Sequence, residues 1–220
     1  MHIISFDIGK CNFAFYIEEF DENKVETIKN IPKIKRFQGD GTPTPEFQNI
    51  LSELYLNGNT ILYKNLNLTE NTKKEKYLDQ KVCLNMITEL DKVKEKLDLC
   101  SIVLIEQQMS FKNTRNTMAL KLAQNCASYF LHRYGESKEI VEFPAYYKTQ
   151  ILGAPKVGGK AMSKPQRKKW ATQKALEIMM ERGETEALDH IVKSKKKDDL
   201  ADVLLQLQSF KYLRFVEKAL

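Results

Sequence analysis

The sequence predicts an α/β fold in which a mixed sheet is flanked by helices. Three observations lead to this prediction. The chain begins with short apolar segments joined by polar turns, a pattern typical of antiparallel strands. Later apolar runs alternate with segments whose apolar residues recur every three or four positions, as in amphipathic helices. The 220 residues are 42% hydrophobic and 29% charged, which is typical of a globular domain with a substantial core.

The first part of the chain predicts three antiparallel strands. Residues 3–6 form an apolar run that ends at Asp7-Ile8-Gly9, and residues 12–17 and 24–28 give the second and third strands. Residues 39–75 are rich in Gly, Pro and Asn and show no clear period. We therefore predict a single domain over residues 1–220, with an insertion or mobile loop at about 39–75.

The middle of the chain predicts helices that alternate with buried strands. Apolar residues recur at helical spacing from Val82 to Leu97, and residues 101–105 then form an apolar run that ends in Glu106. Residues 116–132 predict a second helix and residues 140–143 a further strand. These later strands would lie parallel in the sheet, since helices connect them.

Two helices are predicted near the C-terminus. Ser163 and Gln166 fit the S-x-x-Q capping box, so a helix begins there and runs to Glu181, with Gly183 as its stop. The last helix begins near Asp198. No internal repeat is visible.

Composition also excludes several classes of protein. No apolar run reaches the roughly 18 residues that span a bilayer, and the first ten residues contain an acid and no basic segment typical of a signal peptide. The four cysteines show no CxxC spacing and the three histidines are scattered. We therefore expect an intracellular protein in a reducing compartment, with no membrane partner, disulfide framework or zinc site.

Carboxylates follow two of the predicted strands and begin the last helix. Asp7 and Glu106 each end a buried strand, where side chains can face a crevice at the edge of the sheet. In the last helix, both Asp199 with Asp202 and Asp198 with Asp202 share a face, and the spacing alone does not choose between these pairs. Structural roles are the alternative, because Asp198 and Asp199 suit a helix start and Asp7 suits a turn.

If these carboxylates converge, their mutual repulsion requires cations. Oxygen ligands select hard ions such as Mg²⁺ or Mn²⁺. Two such ions about 4 Å apart clamp a phosphodiester and activate a water for in-line attack. The pattern therefore favours metal-assisted phosphodiester hydrolysis.

Positive charge is concentrated in one segment. The net charge is +6, yet residues 143–176 contain eight Lys and Arg and no Asp or Glu, so the rest of the chain is slightly acidic. Tyr146, Tyr147 and Trp170 lie in this segment as candidate stacking groups. A solvated helix face is the alternative explanation, but ordinary surfaces mix both signs of charge. We therefore expect a nucleic-acid partner. The candidate DNA-binding residues, two of which precede this segment, are Lys112, Arg115, Lys156, Lys160, Arg167, Lys168 and Lys169.

Three motifs together resemble Holliday junction resolvases of the RuvC type, and most closely the poxvirus-type branch of large DNA viruses. The first motif is the apolar segment that ends in Asp7-Ile8-Gly9, and the second is the one that ends in Glu106-Gln107-Gln108. The third is the run from Lys197 to Asp202. The resemblance covers residues 1–30 and 80–210. It implies an RNase H-like fold, a homodimer, and symmetrical Mg²⁺-dependent nicking of a four-way DNA junction. If the source is viral, the site of action would be the host cytoplasm or nucleus.

The resemblance also assigns roles by position. Asp7, Glu106, Asp199 and Asp202 match the metal-binding carboxylates, which leaves Asp198 outside the set. The catalytic lysines of the family are matched by Lys148 and Lys164. Asp7 and Glu106 are 99 positions apart, which exceeds the usual separation, and residues 39–75 are the apparent surplus.

Other functions compete with this interpretation. An actin-like ATPase or sugar kinase also begins with a strand and Asp-x-Gly, but the chain has no second such motif. A nucleic-acid-binding protein without catalysis, another RNase H-like nuclease and a transposase-type enzyme remain open, because a fold does not fix its substrate.

Overall fold

The protein forms one five-stranded mixed sheet. A computed structural model of the chain describes residues 1–70, 72, 79–108 and 117–220. The strand order is β3-β2-β1-β4-β5, with antiparallel pairs β1–β2 and β2–β3 and parallel pairs β1–β4 and β4–β5. The strands are β1 (His2–Ile8), β2 (Phe13–Glu19), β3 (Asn59–Leu66), β4 (Ile102–Glu106) and β5 (Glu139–Phe143). The predicted combination of three antiparallel strands with parallel ones is confirmed.

Helices flank the sheet on both faces. They are α1 (Glu22–Glu26), α2 (Pro45–Leu56), α3 (Gln80–Asp91), α4 (Lys94–Leu99), α5 (Thr117–Tyr134), α6 (Tyr147–Ile151), α7 (Lys164–Arg182), α8 (Thr185–Lys193) and α9 (Lys197–Lys211). The predicted capping box at Ser163 and Gln166 is present, and Gly183 ends α7 with a φ of 70°. The single helix predicted from Val82 to Leu97 is instead divided into α3 and α4.

The third strand lies elsewhere than the sequence predicts. Residues 24–28 begin within α1, because the Asp21 carboxylate accepts hydrogen bonds from the backbone N–H groups of Asn23 and Lys24 and so caps a helix. The strand is β3, inside the segment predicted as a loop, and it follows α2, whose core residues include Phe47 and Leu51. The expectation of an irregular loop was therefore wrong for residues 45–66, which complete the sheet and its core.

Two hydrophobic cores lie on opposite faces of the sheet. Alternate residues of a strand point to opposite faces, so Ile3 of β1 packs in one core and Ile4 and Phe6 in the other. Helices α2, α7 and α9 cover the first face, and α3 and α5 cover the second. The described part of the chain contains no helix with the length and hydropathy needed to cross a bilayer.

Candidate active site

The sheet places Asp7 and Glu106 on the same face and at the same edge. Asp7 follows Ile3 and Ser5 at two-residue steps, so its side chain lies on the face that α9 covers. β1 and β4 pair in parallel up to Phe6 and Ile105, and the next residue of each strand is the carboxylate. Strand register therefore brings the two acids side by side at the carboxyl edge of the sheet.

Helix α9 brings two further carboxylates to this edge. Its Gln206 amide donates hydrogen bonds to the Ser5 hydroxyl (3.0 Å) and to the Phe6 carbonyl (3.2 Å), which fixes the helix across β1. Asp202 lies one turn before Gln206 on this helix, and Asp199 lies two turns before it on the same face. The second pair considered from the sequence, Asp198 with Asp202, is therefore not needed to bring acids to the sheet.

A buried ammonium group lies between the carboxylates. Lys148 Nζ is 3.2 Å from Asp202 Oδ1 and 3.4 Å from Glu106 Oε2. The lysine is carried by α6, the short helix that follows β5, and its side chain is only 8% exposed. Helix α6 thus places a cation where β4 and α9 meet.

The pKa shifts show how strongly these groups interact. Burial, followed by repulsion from Glu106, raises the pKa of Asp7 well above its usual value, although the Lys148 ammonium opposes this shift. Burial lowers the pKa of Lys148, but Asp202, Glu106 and Asp7 outweigh burial and raise it overall. The carboxylates therefore exceed the positive charge that Lys148 supplies.

Asp198 and Asp199 face different neighbours. The Asp198 carboxylate forms an ion pair with the Lys168 ammonium on α7. Burial alone would raise the pKa of Asp198, but the hydrogen bond and charge of Lys168 lower it overall. Asp199 accepts a 3.4 Å hydrogen bond from the Asn65 amide, and burial and the nearby Asp198 raise its pKa.

Asn65 is a site residue that the sequence interpretation missed. It lies near the end of β3, two residues after Tyr63, on the face of the sheet that α9 covers. The Tyr63 hydroxyl donates a 2.5 Å hydrogen bond to the Leu200 carbonyl, which ties β3 to α9. An apolar alternation at residues 61–66 would have been the signal, but the neighbouring asparagines obscure it.

The predicted cationic residues Lys164, Arg167 and Lys168 line a cavity of about 370 Å³ beside Glu106, Lys148 and Asp202. They project from one face of α7, because their spacing of three and four residues matches the helical repeat. A second groove of about 520 Å³ extends along α7 towards α9. The lysines that line this groove are Lys168, Lys169, Lys195, Lys196 and Lys197.

The remaining predicted DNA contacts lie elsewhere. The backbone N–H of Lys156 donates a 2.6 Å hydrogen bond to Asp40, and Lys160 forms a β-bridge with Val157. Neither lysine lines the cavity or the groove. Lys112 and Arg115 fall outside the described residues.

The donor set at the sheet edge fits a hard divalent cation. All four candidate ligands are carboxylates, and oxygen ligands suit Mg²⁺ and Mn²⁺. Burial is the main cause of the raised pKa of Asp7, and repulsion from Glu106, Asp202 and Asp199 adds to it. Among the described residues, no three His, Cys, Asp or Glu side chains lie close enough together to hold a metal ion. Lys148 lies between two of the carboxylates.

Comparison with known proteins identifies relatives in invertebrate iridescent viruses. The chain is 31% identical over 247 aligned positions to uncharacterized protein 170L of invertebrate iridescent virus 6, and the match covers 99% of this chain and 92% of that protein. The chain belongs to the 170L family. Uncharacterized protein 97L of invertebrate iridescent virus 3 is 28% identical over 216 positions, which cover 94% of this chain and 98% of the relative. No protein-family model matches the sequence.

The fold of this 170L-family protein is that of RuvC-like resolvases. The fowlpox virus resolvase, in its complex with Holliday junction DNA, superposes with a TM-score of 0.55 at 16% identity, over 97% of this chain and 99% of that chain. Thermus thermophilus RuvC gives a TM-score of 0.52 at 10% identity, over 98% of each chain. The predicted RNase H-like architecture is confirmed.

Proposed function

We propose that this 170L-family protein is a metal-dependent endonuclease that resolves four-way DNA junctions by paired symmetrical nicks. The observation that carries the proposal is that Lys148 pairs with Glu106 of β4 and Asp202 of α9 and interacts electrostatically with Asp7 of β1, beside a cavity lined by cations of α7. A cluster of acids next to cations suits a phosphodiester that must be both bound and attacked. The proposal assigns one nuclease domain to residues 1–220, of the poxvirus type.

Each site residue has a proposed role. Asp7, Glu106, Asp199 and Asp202 would hold Mg²⁺, two ions per site, with Mn²⁺ as a substitute. When bound, such ions lower the pKa of a water and offset charge on the phosphate. Lys148 reduces the repulsion between Glu106 and Asp202 and keeps both side chains in place. Lys164 binds a phosphate oxygen of the strand that is cut.

Branched DNA is the proposed partner. The fowlpox virus resolvase that shares this fold was captured with junction DNA, and the groove of lysines on α7 and before α9 suits a second stretch of phosphates. A junction presents two equivalent strands, which a homodimer would cut symmetrically. Because the relatives are viral proteins, we propose that it acts inside the host cell, in the cytoplasm or nucleus.

The proposed activity is tested with labelled four-way junctions and linear duplexes of the same sequence, each with Mg²⁺, Mn²⁺ or EDTA. We expect paired nicks at symmetrical positions of the junction with either metal and none with EDTA. Equal cutting of the linear duplex would exclude a resolvase and point to another RNase H-like nuclease. Binding without cutting in any metal would indicate a non-catalytic DNA-binding protein.

A further inference from the structure

The cavity beside the carboxylates has an aromatic and apolar side that phosphate binding does not explain. Tyr146 stands at this cavity with 51% of its surface exposed, although it is a large aromatic residue. Trp170 is partly buried and also lines the cavity, and the buried residues Ala171 and Leu205 complete the apolar wall. A surface that bound only phosphates would need cations and hydrogen-bond donors, but no exposed ring.

Local packing holds Tyr146 in this exposed position. Its neighbour Tyr147 packs against Phe143 of the core, with ring centroids 5.2 Å apart, and so anchors the start of α6. The Tyr146 ring lies 4.5 Å from the Tyr147 ring, and its carbonyl accepts a 3.0 Å hydrogen bond from the Thr149 hydroxyl. The exposed ring is therefore supported by the fold and already faces the cavity.

Cations line the same cavity. Lys164 and Arg167 project from the first turn of α7, and Lys148 extends between the cavity and the carboxylates. The volume of about 370 Å³ falls within the range typical of small-ligand sites. A cavity that combines aromatic and apolar residues with cations suits a nucleotide, because its base stacks on rings while its phosphate binds Lys and Arg.

We propose that this cavity binds one nucleobase of the cut strand, stacked on Tyr146 against the wall that contains Trp170. The inference rests on the proposed function, since it assigns the nucleotide beside the attacked phosphodiester to this cavity. Withdrawing a base from a duplex costs several kcal/mol, and the cost is least where stacking is already interrupted. A branch point interrupts stacking, so this cavity favours a junction over a continuous duplex.

Trp170 provides a direct probe, because it is the only tryptophan of the chain. Its fluorescence is measured in EDTA while a five-nucleotide oligothymidylate is added, and again with an abasic chain of equal length and charge. Binding of each labelled chain is followed separately by anisotropy. We expect the oligothymidylate to quench Trp170 and the abasic chain to bind without quenching, with about tenfold weaker affinity, as expected for the loss of one stacked base.

Variants of Tyr146 identify the ring that holds the base. Tyr146→Ala should remove the difference in affinity between the two chains, whereas Tyr146→Phe, which keeps the ring, should retain it. Equal quenching by both chains, an affinity difference that survives in Tyr146→Ala, or no binding of either chain would overturn the inference. The assay needs no cleavage, so it separates the two proposals. Quenching without junction nicking would refute only the endonuclease, and nicking with equal quenching would refute only the base site.

Discussion

Lys148 Nζ lies 3.2 Å from Oδ1 of Asp202, and the same ammonium group reaches Glu106. The lysine follows β5, whereas the two acids come from α9 and β4, so three separate segments meet at one buried cation. Without the Lys148 ammonium, the carboxylates of Glu106 and Asp202 would repel each other. The lysine therefore stabilises the arrangement of acids on which the proposed chemistry depends.

Replacing Lys148 tests this role. We expect Lys148→Ala to lower the single-turnover rate of junction cleavage roughly hundredfold, the size of effect seen when one electrostatic or proton-transferring group is removed from an active site. Junction affinity, measured by anisotropy in EDTA, should change little, because the buried lysine contributes less positive charge to the protein surface than the exposed cations do. Lys148→Arg should restore part of the rate. An unchanged rate in Lys148→Ala would contradict the proposed role.

Two aspartates of α9 form a matched pair for the metal assignment. Asp202→Asn should abolish cleavage while junction binding persists, because an amide is a poorer ligand for Mg²⁺ than a carboxylate. Asp198→Asn is the control, since Asp198 pairs with Lys168 and is not a proposed ligand. It should keep most of the activity. The assignment fails if Asp202→Asn cleaves at the normal rate, or if both variants lose activity equally.

The salt dependence of binding tests the lysine groove. Replacing Lys195, Lys196 and Lys197 by Gln should reduce the slope of log affinity against log salt by about 0.9 for each phosphate that the protein no longer neutralises. Lys92→Gln removes the same kind of charge from the end of α3, where Lys92 pairs with Glu89, and serves as the control. It should leave the slope unchanged. A slope that is identical in the triple variant and the wild type would exclude the groove from DNA binding.

The position of a candidate site residue could be predicted from the sequence where that residue ends a regular strand. Asp7 and Glu106 end apolar runs, and strand periodicity is enough to place both on one face of the sheet. Asn65 could not be found in this way, because β3 is a partly exposed edge strand without a clear apolar alternation. Asp198 and Asp199 differ in their partners, which are Lys168 of α7 and Asn65 of β3. Spacing along α9 therefore carries no information about them.

Substitutions on the exposed face of α3 test the proposed homodimer. This helix buries Val82, Met86 and Leu90, yet Leu84 and Ile87 remain 50% and 37% exposed. We expect sedimentation at micromolar concentration to show a dimer, and the double substitution Leu84→Glu and Ile87→Glu to shift it to monomer. A charge placed on a contacting apolar surface loses hydration without gaining a partner. A wild-type protein that sediments only as a monomer would contradict the homodimer.

A buried ion cluster away from the active site predicts how stability depends on pH. Glu18 of β2 lies 2.6 Å from the ammonium of Lys211 and 2.9 Å from the guanidinium of Arg182, and all three side chains are at most 2% exposed. The Tyr16 hydroxyl and the Gln208 amide donate further hydrogen bonds to the carboxylate. Glu18→Gln would remove the counter-charge of Lys211 and leave Arg182 with the more distant Glu184 carboxylate, 4.0 Å away. We expect a loss of about 3–5 kcal/mol in the free energy of unfolding.

The advantage of Glu18 over Gln should disappear in acid. Burial alone would raise the pKa of Glu18, but Arg182 and Lys211 outweigh it and lower that pKa below its ordinary value of 4.5. The stabilisation is therefore complete above the unfolded-state pKa and declines as pH falls through the lower folded-state pKa. Urea unfolding of both proteins between pH 7 and pH 3 measures this difference. Glu89→Gln, which breaks a surface pair, should cost less than about 1 kcal/mol at any pH. A constant difference between wild type and Glu18→Gln down to pH 3 would show that the Glu18 carboxylate stays charged throughout that range.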